Sequence, residues 1–290
     1  MIERLIPPSE LPINSDGSVF HLHLRPEQLA EKIVMMGDPE RVPLVTKQFD
    51  EIEFDQQSRE FRVITGTYKG KRITALSHGI GCDNIDIVVN ELDALANIDL
   101  QTRTIQKKTR SLTMVRIGTC GGLQPFCPIG SYVVSEISMG MDGLLFFYDQ
   151  GETVNEAGLS KAFCNHTSWL DKLAYPYFVA ANKKLIDRIG FDMVKGITCS
   201  ANGFYGPQGR HVRLGLTNPK QNELLESFSY EGLQFTNYEM ESAALAGLSL
   251  LMGHSAMTVC LVIANRHSNE MNTDYKGSFD DLITKVLDRI

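Results

Sequence analysis

No excess of basic charge marks this chain. Its 290 residues carry 28 Lys plus Arg against 35 Asp plus Glu, a formal net charge of −7. A protein whose main task is coating nucleic acid or an anionic membrane needs the opposite balance. Paired cysteines are also missing. The six, at 82, 120, 127, 164, 199 and 260, form no Cys-x-x-Cys, and three lie in apolar or glycine-rich segments. Reduced structural thiols follow, and neither a disulfide scaffold nor a clustered-thiol metal site does. The loops that wrap nucleotide phosphates are absent too, both Gly-x-x-x-x-Gly-Lys-Ser/Thr and Gly-x-Gly-x-x-Gly, which turns the reading away from nucleoside triphosphates and NAD. Finally, no apolar run is long and unbroken. The longest uncharged stretch, 242–265, is interrupted by Gly247, Ser249, Gly253, His254 and Ser255, so it reads as a buried helix followed by a strand. Residues 1–8 show no basic stretch leading into an apolar run. The expectation is a cytoplasmic chain with no secretory leader and no membrane segment.

What is present is an alternation of strand-like and helix-like runs over most of the length. Apolar residues 32–36 stop at Gly37-Asp38-Pro39, where Asp38 is placed to cap a helix over 39–48. Residues 61–68 and 71–77 flank Lys69-Gly70 and predict a hairpin. Helical spacing of Ile87, Val88, Leu92 and Leu95 predicts a capped helix over 83–98. A strand over 114–117 is expected to end in the glycine turn 118–122. Further strands are expected at 131–137, 194–200 and 257–264, and helices at 178–190, 218–228, 239–252 and 278–290. The pattern predicts one α/β domain spanning 1–290 around a largely buried sheet. The segment 101–110 holds four cations and no acid; a solvated loop is the simpler reading, and no role is assigned to it.

Three segments carry candidate chemistry. In an α/β sheet, ligands collect at the C-terminal ends of strands. There, Gly37-Asp38-Pro39-Glu40-Arg41 combines a small residue, a helix start and a cation, and Arg116-Ile117-Gly118-Thr119-Cys120-Gly121-Gly122 combines a cation, a hydroxyl and glycines. Two arginines beside free N–H groups suit a phosphate-sized dianion, although Arg116 alone could equally be the partner of a buried carboxylate. Asn237-Tyr238-Glu239-Met240-Glu241-Ser242 sets two carboxylates at the mouth of an apolar helix. Taken singly, each belongs there on dipole grounds; together they suit the adjacent hydroxyls of a ribose, with Met240 beneath the sugar. In Asn202-Gly203-Phe204-Tyr205-Gly206-Pro207-Gln208-Gly209-Arg210, Phe204 can stack on a planar base. Gln208, a donor and acceptor, and Arg210, a donor only, match the edge of a uracil ring.

These motifs, with Ser77-His78-Gly79-Ile80-Gly81 and Val262-Ile263-Ala264-Asn265-Arg266, occur in one order over residues 19–290. The set resembles the uridine-cleaving members of the hexameric nucleoside phosphorylase family. The resemblance implies a central mixed, partly barrel-like sheet flanked by helices. It implies phosphate binding by Gly37, Arg41, Arg116 and Thr119, ribose binding by Glu239, Met240 and Glu241, and base binding by Phe204, Gln208 and Arg210. The catalytic roles fall to Arg116, Gln208 and Arg210. It further implies that His21 reaches a neighbouring subunit's ribose and Arg59 its phosphate, so that a homodimer is the minimal active unit and a homohexamer the expected assembly. Uridine and inorganic phosphate are the implied substrates, with no cofactor and no catalytic metal. Four departures stand out: Cys120 and Gly122 in the phosphate segment, the order Gly206-Pro207, a longer insertion at 101–110, and Asn84 where a serine would accompany Glu60 at a monovalent-cation site. A purine-cleaving member is expected to carry an acid after the late strand, and 261–265 has none. A hydrolase would lack the arginine set, and a non-catalytic nucleoside-binding protein would have lost site residues.

Overall fold

The computed structural model describes residues 4–290; of the opening octapeptide, residues 1–3 lie outside that range. Ten strands frame the molecule. They are β1 (Lys32–Met36), β2 (Glu51–Ser58), β3 (Phe61–Tyr68), β4 (Lys71–Ser77), β5 (Thr113–Gly122), β6 (Tyr132–Gly140), β7 (Tyr177–Ala180), β8 (Val194–Ser200), β9 (Leu233–Glu239) and β10 (Ser255–Asn265). Seven helices intervene: α1 (Val42–Thr46), α2 (Cys82–Asn97), α3 (Ala157–Thr167), α4 (Lys183–Ile189), α5 (Gln221–Ser227), α6 (Ser242–Leu251) and α7 (Lys276–Arg289).

β5, β10, β6, β8 and β9 form a closed mixed barrel. β5 and β10 are parallel, as are β6 with β8 and β8 with β9, while β10 meets β6 antiparallel. Closure needs only two residue pairs, Asn237↔Gly122 and Tyr238↔Gly121, between antiparallel β9 and β5. From β5 the sheet continues outward through β1, β4, β3 and β2, and β7 pairs with β6. The expected partly barrel-like α/β sheet is thus present.

The alternating faces of β1 explain the layers. Ile33 and Met35 pack with Leu76 and with Val88 and Leu92 of α2. Val34 and Met36 face the opposite layer, with Val45 of α1 and Phe279 and Leu282 of α7. A third cluster gathers Phe163, Phe178, Phe228 and Phe235 beside Trp169.

Local expectations were met unevenly. The hairpin and the strands at 32–36 and 194–200 fall where periodicity placed them. The run 39–48 divides into a 3-10 turn, Pro39–Arg41, capped by Asp38 through the Glu40 amide at 2.9 Å, and the short α1. The capped helix expected over 83–98 is α2, Cys82–Asn97, and it has no side-chain cap: Gly81, at φ +96°, occupies its N-cap position. The expected helix 178–190 is β7 followed by α4. Tyr177, Phe178 and Val179 extend along β6, and Asn182 begins the helix by accepting the Leu185 amide at 3.1 Å. The expected glycine turn 118–122 is instead the continuation of β5. The expected helix from 239 begins only at Ser242, because Glu239 completes β9. Strands β2 and β9 and helix α3 were not anticipated. β2 is an exposed, charge-rich edge with little strand signal.

The uncharged stretch 242–265 is α6 followed by β10. Among the described residues no helix is long and apolar enough to cross a membrane. Segment 101–110, expected as a solvated loop, holds the short strand Thr104–Ile105, which pairs with Ile98–Asp99, before running on as loop. Arg103 holds the Ile6 and Pro7 carbonyls, and Arg110 donates to the Ala96 carbonyl at the end of α2. All six cysteines are free.

Candidate active site

Strand ends and one loop enclose a cavity of about 930 Å³. Gly37 to Pro39 and Arg41 follow β1, Gly79 and Ile80 follow β4, and β5 contributes Arg116 and Gly118 to Gly121. Phe204, Tyr205, Gln208 and Arg210 come from the loop after β8. β9 and the residues after it supply Tyr238 to Glu241, and β10 with the residue that follows it supplies Ile263 to Arg266. The short closure between β5 and β9 is what brings the Arg116–Thr119 segment against Glu239, since each strand meets the other only near its C-terminal end.

An ionic knot joins these strands. Arg116 is buried, and its Nη1 lies 3.0 Å from Glu239 Oε2 while Nη2 pairs with Glu241. Its Nε donates to His78 Nε2 at 3.1 Å, and Nη1 reaches Cys260 Sγ at 3.6 Å. Gly118 makes room for this: a Cβ there would stand 2.8 Å from Arg116 Nη1 and 3.0 Å from Cys260 Sγ. Space for the guanidinium, rather than a turn, is the reason for glycine at this position.

Glu239 is committed on both oxygens. It accepts from Ser242 Oγ at 2.8 Å and Ser200 Oγ at 2.5 Å, and from the Glu241 and Ser242 amides, each at 2.9 Å. The last two contacts satisfy free N–H groups at the start of α6. Glu241 accepts the Gly81 amide at 2.8 Å. Burial raises the Glu241 pKa; Arg116 opposes that rise and Glu239 adds to it. Two carboxylates beside one guanidinium cannot both ionise at no cost. Burial works against the charge on Arg116, but the two glutamates hold its pKa above the ordinary guanidinium value. The buried His78 is driven well below its usual value by desolvation and by Arg116, so it is neutral.

Arg41 donates to the Tyr275 hydroxyl at 3.0 Å and lies over the Phe279 ring at 4.9 Å. Arg210 sits over the Phe204 ring at 3.7 Å, and its Nη1 donates to Gln208 Oε1 at 2.6 Å. Burial, with Arg266 nearby, lowers the Arg210 pKa to about 10. One face of Phe204 is therefore covered by the guanidinium, and only the other is open for stacking. Gln208 is buried, whereas Phe204 is half exposed.

The structure thus gathers Gly37, Arg41, Arg116, Thr119, Phe204, Gln208, Arg210, Glu239, Met240 and Glu241 around one cavity. His21 and Arg59 do not line it. They share a surface patch instead, where the Phe20 and His21 rings lie 5.0 Å apart and Arg59 lies 5.8 Å over Phe20. Glu91 anchors this patch, accepting from His21 Nδ1 at 2.6 Å and from the His21 and Leu22 amides at 2.9 and 2.8 Å. Glu60 and Asn84 also line the cavity. Among the described residues, no group of three or more His, Cys, Asp or Glu could hold a metal ion.

Sequence reasoning gave no role to His78 or Arg266. The signal for Arg266 was a cation directly after the apolar β10. Its Nε and Nη2 are buried without a hydrogen-bond partner among the described residues.

A barrel whose strand ends hold guanidinium, carboxylate and amide groups around one pocket defines an α/β enzyme acting on a small polar molecule. Residues 31–290 match the family model described as the phosphorylase superfamily. The chain belongs to that superfamily and is an enzyme of the pentosyltransferase class. It is similar to the uridine phosphorylase of Thermococcus kodakarensis, 29% identical over 270 residues covering 93% of this chain and 85% of the relative. A uridine phosphorylase of Salmonella typhimurium is 30% identical, covering 89% of this chain and 90% of the relative. A DeoD-type purine nucleoside phosphorylase of Oceanobacillus iheyensis is 25% identical, covering 93% and 98%. Among solved structures, the Trypanosoma brucei nucleoside phosphorylase, described as showing uridine phosphorylase activity, superposes with a TM-score of 0.87 at 28% identity. That match covers 97% of this chain and all of the other.

Proposed function

We propose that this protein catalyses phosphorolysis of uridine, giving uracil and ribose 1-phosphate, as a step of pyrimidine salvage in the cytoplasm. 2′-Deoxyuridine and thymidine are slower substrates in this reading. Inorganic phosphate is a co-substrate, and no cofactor or metal takes part. The observation that carries the reading is a single cavity lined by Arg41, Arg116 and Thr119, by the pair Glu239 and Glu241, and by the Gln208–Arg210 couple.

Each group has a task in the reaction. Phosphate, held by Gly37, Arg41, Arg116, Thr119 and a partner subunit's Arg59, attacks C1′ as the glycosidic bond breaks. Holding nucleophile and sugar together supplies proximity, and the guanidinium groups supply electrostatic stabilisation. Glu241 accepts from the ribose hydroxyls over Met240, and His21 of a partner subunit reaches the sugar. Glu239, expected to share that task, has its oxygens taken by Ser200, Ser242, two amides and Arg116, and holds Arg116 in place instead. The departing base gathers negative charge on its carbonyl oxygens, which Gln208 and Arg210 stabilise more in the transition state than in the ground state.

A purine base needs a proton donor as it leaves. Asn265, after β10, spends its side chain on structure. Its Oδ1 accepts the His267 and Ser268 amides at 2.8 and 3.0 Å, and its Nδ2 donates to the Cys127 and Gln124 carbonyls at 2.8 and 3.1 Å. This favours the pyrimidine over the purine reading.

The test is the loss of uridine absorbance on addition of purified protein with and without phosphate. Phosphate-dependent loss is expected. Cleavage without phosphate, or cleavage of inosine with uridine untouched, defeats the proposal.

A further inference from the structure

His78 has no part in the chemistry described so far, yet its surroundings are specific. It follows β4, is fully buried, and does not line the cavity. Its Nε2 lies 3.1 Å from Arg116 Nε. An arginine cannot act as an acceptor, so the guanidinium donates and the imidazole accepts. The imidazole proton is then on Nδ1, which has no partner among the described residues. Arg116 has five N–H bonds. Nε faces His78, Nη1 faces Glu239 and Cys260, and Nη2 faces Glu241. One Nη2 hydrogen is left for a ligand in the cavity that Arg116 lines.

Glu239 and Glu241 both grip the Nη end of the guanidinium, and Glu241 is also proposed to accept from substrate hydroxyls. Among the described residues the acceptor on the Nε side is the imidazole. Without it, the plane could turn about the two carboxylates and carry the free hydrogen away from the oxyanion.

We propose that His78 is a positioning residue for phosphate: its unprotonated Nε2 fixes the guanidinium plane of Arg116 so that the remaining Nη2 hydrogen faces the bound oxyanion. This rests on the reading that Arg116 holds phosphate. The role acts through geometry, where displacements of about 1 Å cost as much as 100-fold.

The experiment compares His78→Phe, which keeps a ring but removes the acceptor, with His78→Gln, whose side-chain oxygen reaches the position of Nε2. Steady-state kinetics are read for phosphate and uridine separately. His78→Phe is expected to raise the KM for phosphate between about 10- and 100-fold while the KM for uridine changes less than about twofold. His78→Gln recovers most of the phosphate KM. Equal rises in both KM values, no change in either, or identical behaviour of the two variants would overturn the proposal. Inorganic phosphate alone is also titrated against the thermal midpoint of each protein, a readout that needs no nucleoside turnover. If wild type is stabilised by phosphate but does not cleave uridine, the substrate reading fails while the role of His78 is still decided by the variants' midpoints. Should His78→Phe not fold, His78→Leu, which also removes the acceptor, takes its place beside His78→Gln: a phosphate-induced rise lost in the first and kept in the second supports the role, and equal rises overturn it.

Discussion

At the scale of single residues, the site depends on groups that have little freedom to act otherwise. Arg210 is held by its stack on Phe204 and its bond to Gln208, so its guanidinium is fixed in place. Replacing it with alanine is expected to lower uridine turnover by about 100- to 1000-fold, the usual loss for one preorganised donor to a developing anion. Preserved turnover, measured by uridine absorbance at saturating phosphate, would remove Arg210 from its proposed role. Residue types marked this site well, because guanidinium, carboxylate and hydroxyl groups at strand ends are rare without a reason. Their commitments were less legible. Arg116 was open to both readings from sequence, a phosphate ligand or a partner of buried carboxylates, and the ion pairs with Glu239 and Glu241 give it the second contact set outright. Nothing in local sequence says that Glu239 ends a strand while Glu241 stands at a helix start, since both are settled by pairing with distant β8 and β5.

Elements show the same division between local and distant causes. The hairpin of β3 and β4 was readable because the turn residues and the β-branched runs agree. β5 was cut short at Gly118 because consecutive glycines imitate a turn, yet pairing along β10 carries it on to Gly122. The aromatic cluster linking α3 to β7 and β9 is another distant cause. Phe163 contacts Phe178, Phe228 and Phe235, with the nearest ring centroids 5.5 Å apart. Phe163→Ala is expected to cost about 3–5 kcal/mol of stability, read by denaturant unfolding; a loss below about 1 kcal/mol would mean that α3 is not anchored there. α7 is tied to the end of α4 by Arg289, whose Nη1 and Nη2 lie 2.6 and 2.9 Å from the Asp192 oxygens. That hydrogen-bonded pair lowers the Asp192 pKa from 3.8 to about 2. A depressed carboxylate stabilises the fold fully above its unfolded value, and the contribution fades as pH falls from 3.8 towards 2. The gap in thermal midpoint between wild type and Asp192→Asn should therefore be constant near neutrality and shrink through that acid window. It is small, because the pair is partly exposed to solvent. A gap that widens on acidification would contradict the assignment.

For the whole molecule, the α/β alternation was legible along the chain, but closure of the barrel was not. The pairing of β9 with β5 joins residues more than a hundred positions apart, and no local periodicity records it. The family resemblance supplied what periodicity could not. At this scale the patch of Phe20, His21 and Arg59 gains its meaning: Glu91 fixes His21 within it, and it does not line the cavity of its own chain. If two subunits exchange these residues, mixing inactive His21→Ala and Arg210→Ala proteins after dissociation should restore part of the uridine activity, because some mixed dimers contain one intact site. Absence of any rescue, with subunit mixing verified by a tag, would show that each chain works alone.

The two-pair seam between Gly121–Gly122 and Asn237–Tyr238 makes the Arg116–Thr119 side and the Glu239–Glu241 side of the pocket a single mechanical unit. A strand shift that tightened one would drag the other with it. The two sides therefore cannot be reshaped independently by altering either strand. Re-engineering has the loop of residues 204–210 as its freer handle, because that segment approaches the pocket without carrying the seam.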